Sequence, residues 1–167
     1  MIDLGNKAYC ICKKYNNTQD ECIDAYTISE KGKTVCLLPN DSTEQALAIV
    51  IDQCVITGND TKCDALFLFS SSNKKISFLT ELKGAGDIPK AFSQLSYTRD
   101  KRAEYKDILE KFSIIDNRKV REKFIIVSNG ILEKSKIEAL ENEYKIRVSQ
   151  ILYSEPTTPI PNLREYL

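Results

Sequence analysis

The chain contains no histidine. That absence removes Ser-His-Asp and Cys-His catalysis, histidine-ligated metals, and nucleases that rely on a histidine base. Any catalysis must run on carboxylates, lysine, hydroxyls, thiols or a bound metal. Long apolar runs are missing too: none approaches the ~20 residues of a membrane span. The opening MIDLGNKAYC has neither the basic end nor the apolar stretch of a signal peptide. A cytoplasmic protein without membrane contact is the expectation. There is no internal repeat, and no linker long enough to split 167 residues. A single domain over 1–167 is expected, with an N-terminal strand-rich extension (1–41), a core (42–153) and a C-terminal tail (154–167).

Net charge is absent as well, but its distribution is uneven. Residues 1–60 carry five Lys/Arg against nine Asp/Glu, whereas residues 61–128 carry fourteen against nine. The positive excess of the middle segment is compatible with a polyanion surface; the competing account is ordinary solvation of helix faces.

Cysteine is the residue in surplus, and all six (Cys10, Cys12, Cys22, Cys36, Cys54, Cys63) lie in the first 63 residues. Without an export signal, reduced thiols are expected. Cys10, Cys12, Cys22 and Cys36 invite a four-thiolate metal site, but no CxxC pair occurs and the spacings fit no knuckle or ribbon. Buried thiols acting as small hydrophobes are the preferred account.

The N-terminal extension offers two short apolar segments, Tyr9–Cys12 and Thr34–Leu38, as strands, the second after a Lys31-Gly32-Lys33 turn. Ser42 and Gln45, or Asp41 and Glu44, have capping-box spacing. Apolar residues at Ala46, Leu47, Val50, Ile51, Cys54 and Val55 then read as one helix face. Lys62 to Lys83 reads as two strands joined by the polar turn 70–75. A long helix runs from Ile88 to Phe112, with a basic interruption at Thr98–Arg102 that suggests a break. Lys123–Ser128 is a nearly continuous apolar run, expected to form a central strand buried on both faces. Helix 133–144 and a strand from Ile146 to Tyr153 follow. The order implies an α/β fold, a mixed sheet flanked by helices on both faces.

One end of the central hairpin gathers charge. Side chains alternate along a strand, so Glu81 and Lys83 share a face, and a hairpin brings Asp64 back beside them. Two carboxylates supply oxygen ligands to a hard divalent cation and leave positions for water and a phosphate. Lys83 can orient a water or stabilise charge on a phosphorane-like transition state. The bland alternative is a solvated Glu–Lys pair at a strand terminus.

Asp64, sixteen intervening residues and Glu81-Leu82-Lys83 resemble the PD-(D/E)XK, or restriction-endonuclease-like, nuclease superfamily. In that family a helix precedes the Asp-bearing strand, the tripeptide ends the next strand, and a helix and strand complete the core. Cys63 stands where the pattern has proline. The first core strand is then very short, or Thr34–Leu38 takes its place. The resemblance implies a restriction-endonuclease-like core and a Mg²⁺-dependent nuclease acting on DNA, with Mn²⁺ able to substitute. Asp64 and Glu81 would bind metal, with Glu44 as an additional acidic ligand, and Lys83 would serve the nucleophile. Lys90-Ala91-Phe92-Ser93-Gln94-Leu95 is similar to the helix after the tripeptide, which makes Gln94, with Tyr97 beyond it, a fourth site residue. Lys90, Arg99, Lys101 and Arg102 are candidates for holding phosphates. A restriction, phage-defence or DNA-processing setting, and a homodimer or partner protein, are compatible with this reading. The alternative function is a non-catalytic nucleic-acid- or protein-binding module that keeps the fold.

Overall fold

Every residue from Lys75 to Leu82 is buried, which a strand achieves only inside a sheet covered on both faces. The computed structural model describes residues 2–167; Met1, the first residue of the expected domain, lies outside them. The described residues form β1 (Thr27–Glu30), β2 (Lys33–Cys36), β3 (Gln45–Val50), β4 (Ala65–Ser70), β5 (Lys75–Lys83), α1 (Ile88–Lys101), α2 (Ala103–Ile114), β6 (Arg121–Ser128), α3 (Lys134–Tyr144) and β7 (Gln150–Tyr153). Strands β3 to β7 make one sheet in chain order. The first three are an antiparallel meander, and β5, β6 and β7 run parallel. Arg102, in extended conformation, separates α1 from α2 as the basic interruption suggested.

Helices cover one face of the sheet rather than both. The steps from β5 to β6 and from β6 to β7 advance in the same direction, so right-handed crossovers put α1 and α3 on the same side, where they touch. The other face is covered by the antiparallel β1–β2 hairpin, whose β2 packs on β5 and β6. The N-terminal extension is therefore half of the packing around the central strands.

The stretch read as the first helix is β3. Its six residues pair with β4 from Gln45↔Ser70 to Val50↔Ala65. Ala46 to Ile51 is an unbroken apolar run ending in three β-branched residues, which suits a strand covered on both sides. The helical spacing at Ile51, Cys54 and Val55 arises instead from a tight turn. There the Cys54 N–H donates to the Ile51 carbonyl at 3.3 Å, and Gln53 takes a positive φ of 57°. Tyr9–Cys12 is likewise no strand: Gly5–Cys10 is a 3₁₀ helix, and Ile11 makes only an isolated bridge to Ile49.

Four cysteines are disulfide-bonded, not reduced. Cys10 bridges to Cys54 and Cys12 to Cys22, which takes three of the four thiols out of any metal site. Cys36 and Cys63 stay as buried thiols. Burial, then the charges of Asp24 and Glu165, pushes Cys36 up to about 11, so it behaves as a small hydrophobe. The Cys10–Cys54 bridge ties the 3₁₀ helix to the turn after β3. A loop of this size, 44 residues apart in sequence, restricts the unfolded chain by roughly 4 kcal/mol in the chain-entropy treatment. The Cys10→Ser/Cys54→Ser protein should lose about 2–4 kcal/mol in urea unfolding, and excess reductant should destabilise the parent but not this variant through that bridge.

The loop after β5 is seated on the end of β6. The Ala85 N–H donates to Asn129 Oδ1 at 3.0 Å, and a Cβ on Gly130 would stand 2.6 Å from Ala85 Cα. Only glycine lets the two backbones approach so closely. Gly130→Ala should displace residues 84–86 and lower stability by about 1–3 kcal/mol, measurable as a lower thermal midpoint.

Candidate functional site

The register Ala65↔Thr80 places the next residues out, Asp64 and Glu81, opposite each other at the end of the β4–β5 ladder. Their side chains continue that ladder. The Asp64 N–H donates to Glu81 Oε2 at 3.1 Å, and the Leu82 N–H donates to Asp64 Oδ2 at 2.7 Å. Lys83 Nζ approaches Glu81 Oε1 to 3.0 Å. Asp64, Glu81 and Lys83 thus come together as the strand alternation and the hairpin required. Glu81 is fully buried and Asp64 is 8% exposed, whereas Lys83 keeps partial access to solvent.

The segment before Asp64 is stitched to the helices. Arg102 Nε donates to the Thr61 carbonyl at 2.9 Å, Gln94 Nε2 to the Lys62 carbonyl at 3.0 Å, and the Cys63 N–H to Thr98 Oγ1 at 3.0 Å. From the other side, the Ile51 N–H reaches the Asp64 carbonyl at 2.9 Å. Three consecutive residues are therefore held by α1 and its C-cap, and the carboxylate that follows inherits a fixed position. Gln94 acts here through the backbone of Lys62. Its Oε1 is buried with no hydrogen-bond partner.

Other expected members lie elsewhere. Glu44 precedes β3 at the Gln45↔Ser70 end of the ladder, about 24 Å along the strand from Asp64 at ~3.4 Å per residue. There its carboxylate takes both guanidinium nitrogens of Arg164 and the Asn40 N–H. It is a surface clamp for the C-terminal tail and does not join the site. Arg99 pairs with Asp100 and the Lys145 carbonyl, and Lys90 and Lys101 are exposed.

Glu30 is the residue that sequence reasoning missed. It ends β1 at the tip of the hairpin that covers the second face, and from there it acts on Asp64, Glu81 and Lys83 alike. No local pattern marks it, because its place in the site depends on how residues 1–41 pack over the sheet.

Two buried carboxylates beside one ammonium, with the partly exposed Glu30 adding its charge, leave negative charge uncompensated. Burial, then Glu81, then Glu30 push the Asp64 carboxyl far above the usual range. Burial pushes Glu81 up to about 7 against the pull of Lys83. Burial alone would lower Lys83, but Glu81, Asp64 and Glu30 outweigh it and hold the ammonium above its ordinary value. At neutral pH Asp64 therefore retains its proton and Glu81 holds one part of the time, while Lys83 stays charged.

Among the described residues, no group of three or more His, Cys, Asp or Glu side chains is arranged to hold a metal ion. Magnesium asks less of a protein: one or two carboxylates, with water and substrate phosphate completing the shell. Glu81 Oε1, buried and met only by the Lys83 ammonium, stands next to Asp64, and the two carboxylates fit that requirement.

The raised carboxyls tie stability to pH. A folded state that binds protons more tightly than the unfolded chain loses stability as pH rises, here from about pH 4.5 through 7. In EDTA the unfolding free energy should fall by on the order of 2 kcal/mol between pH 5 and pH 8, read as a lower melting temperature. Asp64→Asn removes the cost of keeping a proton on this carboxyl while its side-chain oxygen still accepts from the Leu82 N–H, so it should melt higher than the parent at pH 8. A parent with a flat profile, or an Asp64→Asn protein that melts lower, would refute this electrostatic account. Comparisons of the chain with protein-family models, with curated proteins and with solved structures gave no match.

Proposed function

We propose that the chain is a metal-dependent nuclease with a restriction-endonuclease-like core, hydrolysing phosphodiester bonds in DNA. One observation carries this: Asp64 and Glu81 are buried side by side with Lys83, and their negative charge exceeds what that ammonium neutralises. Buried like charges that need a proton or a cation are frequent at functional sites and a burden to the fold elsewhere. The element order adds support. Asp64 heads the second strand of a three-stranded meander, the Glu-Leu-Lys tripeptide ends the third, and helices lead into a parallel fourth. One departure stands: no helix longer than a 3₁₀ turn precedes the meander among the described residues.

In this reading Asp64 and Glu81 hold Mg²⁺, or Mn²⁺ in its place. Bound there, such an ion would lower the pKa of its water and neutralise charge on the phosphate oxygens. Lys83, kept protonated by its neighbours, donates hydrogen bonds and positive charge to the attacking water or the phosphorane oxygens. It is not a proton acceptor. Glu30, at the hairpin tip, adds its charge to the corner, and Gln94 positions Asp64 through the Lys62 carbonyl. A restriction, phage-defence or other DNA-processing setting, with a homodimer or partner protein, belongs to the same proposal. A cytoplasmic location belongs to it as well, but the Cys10–Cys54 and Cys12–Cys22 disulfides count against that part, and alkylation mapping of freshly lysed cells tests it.

A second reading has its own observation. Each carboxylate accepts a backbone N–H from the opposite strand, so the pair also works as a structural brace, as in a binding module that keeps the fold without catalysis.

The two separate on a cleavage panel: plasmid, single-stranded DNA and RNA with Mg²⁺, Mn²⁺ or EDTA, for the parent, Lys83→Ala and Glu81→Gln. The nuclease should cut DNA only with metal. Each substitution should reduce the rate at least about 100-fold, as loss of an electrostatic stabiliser does. In parallel, Mn²⁺ should raise the parent's melting temperature at pH 8 more than at pH 5.5. No cleavage, or equal cleavage by Lys83→Ala, would sink the enzyme reading and leave the binding module.

A further inference from the structure

The positive excess of residues 61–128 does not sit at the catalytic corner. It gathers at the opposite end of the central strands. Lys75 begins β5 and Lys83 ends it, so the two ends stand about 26 Å apart at ~3.3 Å per residue. At the Lys75 end, Asn73, Lys74, Lys75, Ile76, Lys119 and Arg121 line an open cleft of about 270 Å³. Parallel pairing puts Ile76 beside Arg121 and thereby brings the turn before β5 against the loop before β6.

The nearby negative charges already have partners. Asp116 takes Lys75 at 2.7 Å and also Arg118. Glu122 accepts the Tyr105 hydroxyl at 2.7 Å. Lys74, Lys119, Arg121 and Lys123 have no carboxylate within ion-pair distance among the described residues, and the first three are exposed. Burial lowers Lys123, and the charges of Arg121 and Lys74 lower it further. These cations repel one another with no internal anion between them. A folded protein gains nothing from such crowding unless an external anion relieves it.

We infer that this cleft is a second nucleic-acid site, gripping backbone phosphates with Lys74, Lys119 and Arg121, apart from the Asp64–Glu81–Lys83 corner. The cleft's one apolar lining residue, Ile76, is only 2% exposed, so it offers no side chain for insertion into a bilayer. A phosphate backbone, read by point charges alone, matches it better than a lipid surface. The site goes beyond the nuclease reading, since binding here needs neither metal nor catalysis.

The test is binding of a fluorescein-labelled 20-base-pair duplex and a 20-nucleotide single strand in EDTA, followed by anisotropy at several salt concentrations. The cleft variant K74E/K119E/R121E is compared with K134E/K136E/K145E, which makes the same charge change on exposed positions in and just after α3. Melting curves confirm that both fold. The cleft variant should bind at least about tenfold more weakly and lose roughly 2–3 from the slope of log K against log salt, while the α3 variant stays within about threefold of the parent. Equal weakening by both variants, no weakening by either, or no binding by the parent would overturn the proposal. So would a cleft variant that loses binding to phosphatidylserine vesicles but not to nucleic acid. Cleavage is not read in this experiment, so a failed nuclease reading and a failed cleft remain distinguishable.

Discussion

Two carboxylates facing each other across the end of an antiparallel ladder are the constraint around which the rest is arranged. Outside the sheet, Asp64 and Glu81 would be unremarkable surface acids. Here burial makes their mutual repulsion strong, because little water screens it. Three features keep the pair from splaying: the exchanged backbone N–H bonds, the Lys83 ammonium, and the clamp of α1 on Thr61 to Cys63. None of these neutralises both charges. The local electrostatics of the corner therefore demand an added cation, whether a proton or a metal.

The two faces of the sheet contribute differently to that corner. α1 fixes the approach to Asp64 through backbone carbonyls and N–H groups, which sets geometry. The β1–β2 hairpin delivers Glu30, which sets charge. The Cys10–Cys54 bridge joins the N-terminal 3₁₀ helix to the turn whose Ile51 N–H holds the Asp64 carbonyl. The N-terminal quarter of the chain is thus bound to the site by a covalent link, by a hydrogen bond one step removed, and by a carboxylate. Removing it would uncover the sheet as well as take away a site residue.

Much of this was legible in the residues, and the failures have physical causes. The Lys62–Lys83 hairpin, the interrupted helix, the Lys123–Ser128 strand and the following helix follow from local periodicity and turn chemistry, which depend on near neighbours. Residues 45–55 deceived because a short, wholly apolar run satisfies both a helical and a strand template; the sheet partner, twenty residues later, decides. Glu44 was misplaced by the same error, since a supposed helix start pointed it toward the site and a strand carries it to the far end. The disulfides and Glu30 were beyond reach for a different reason. Both depend on contacts between residues 1–41 and the core, and those contacts leave no trace in spacing.

The same topology that concentrates acid at one end of β5 concentrates base at the other. A strand running from Lys75 to Lys83 cannot separate them by less than its own length, and the helices on one face and the hairpin on the other shield the ground between. A polyanion drawn to Lys74, Lys119 and Arg121 would be steered away from the carboxylates, which repel it until a cation is bound. If both proposals hold, attraction at one pole and repulsion at the other would separate two steps: capture that depends on salt alone, and engagement of the Asp64–Glu81 corner that depends on metal. A net charge of zero conceals that polarity, because the sum removes the very separation on which it rests.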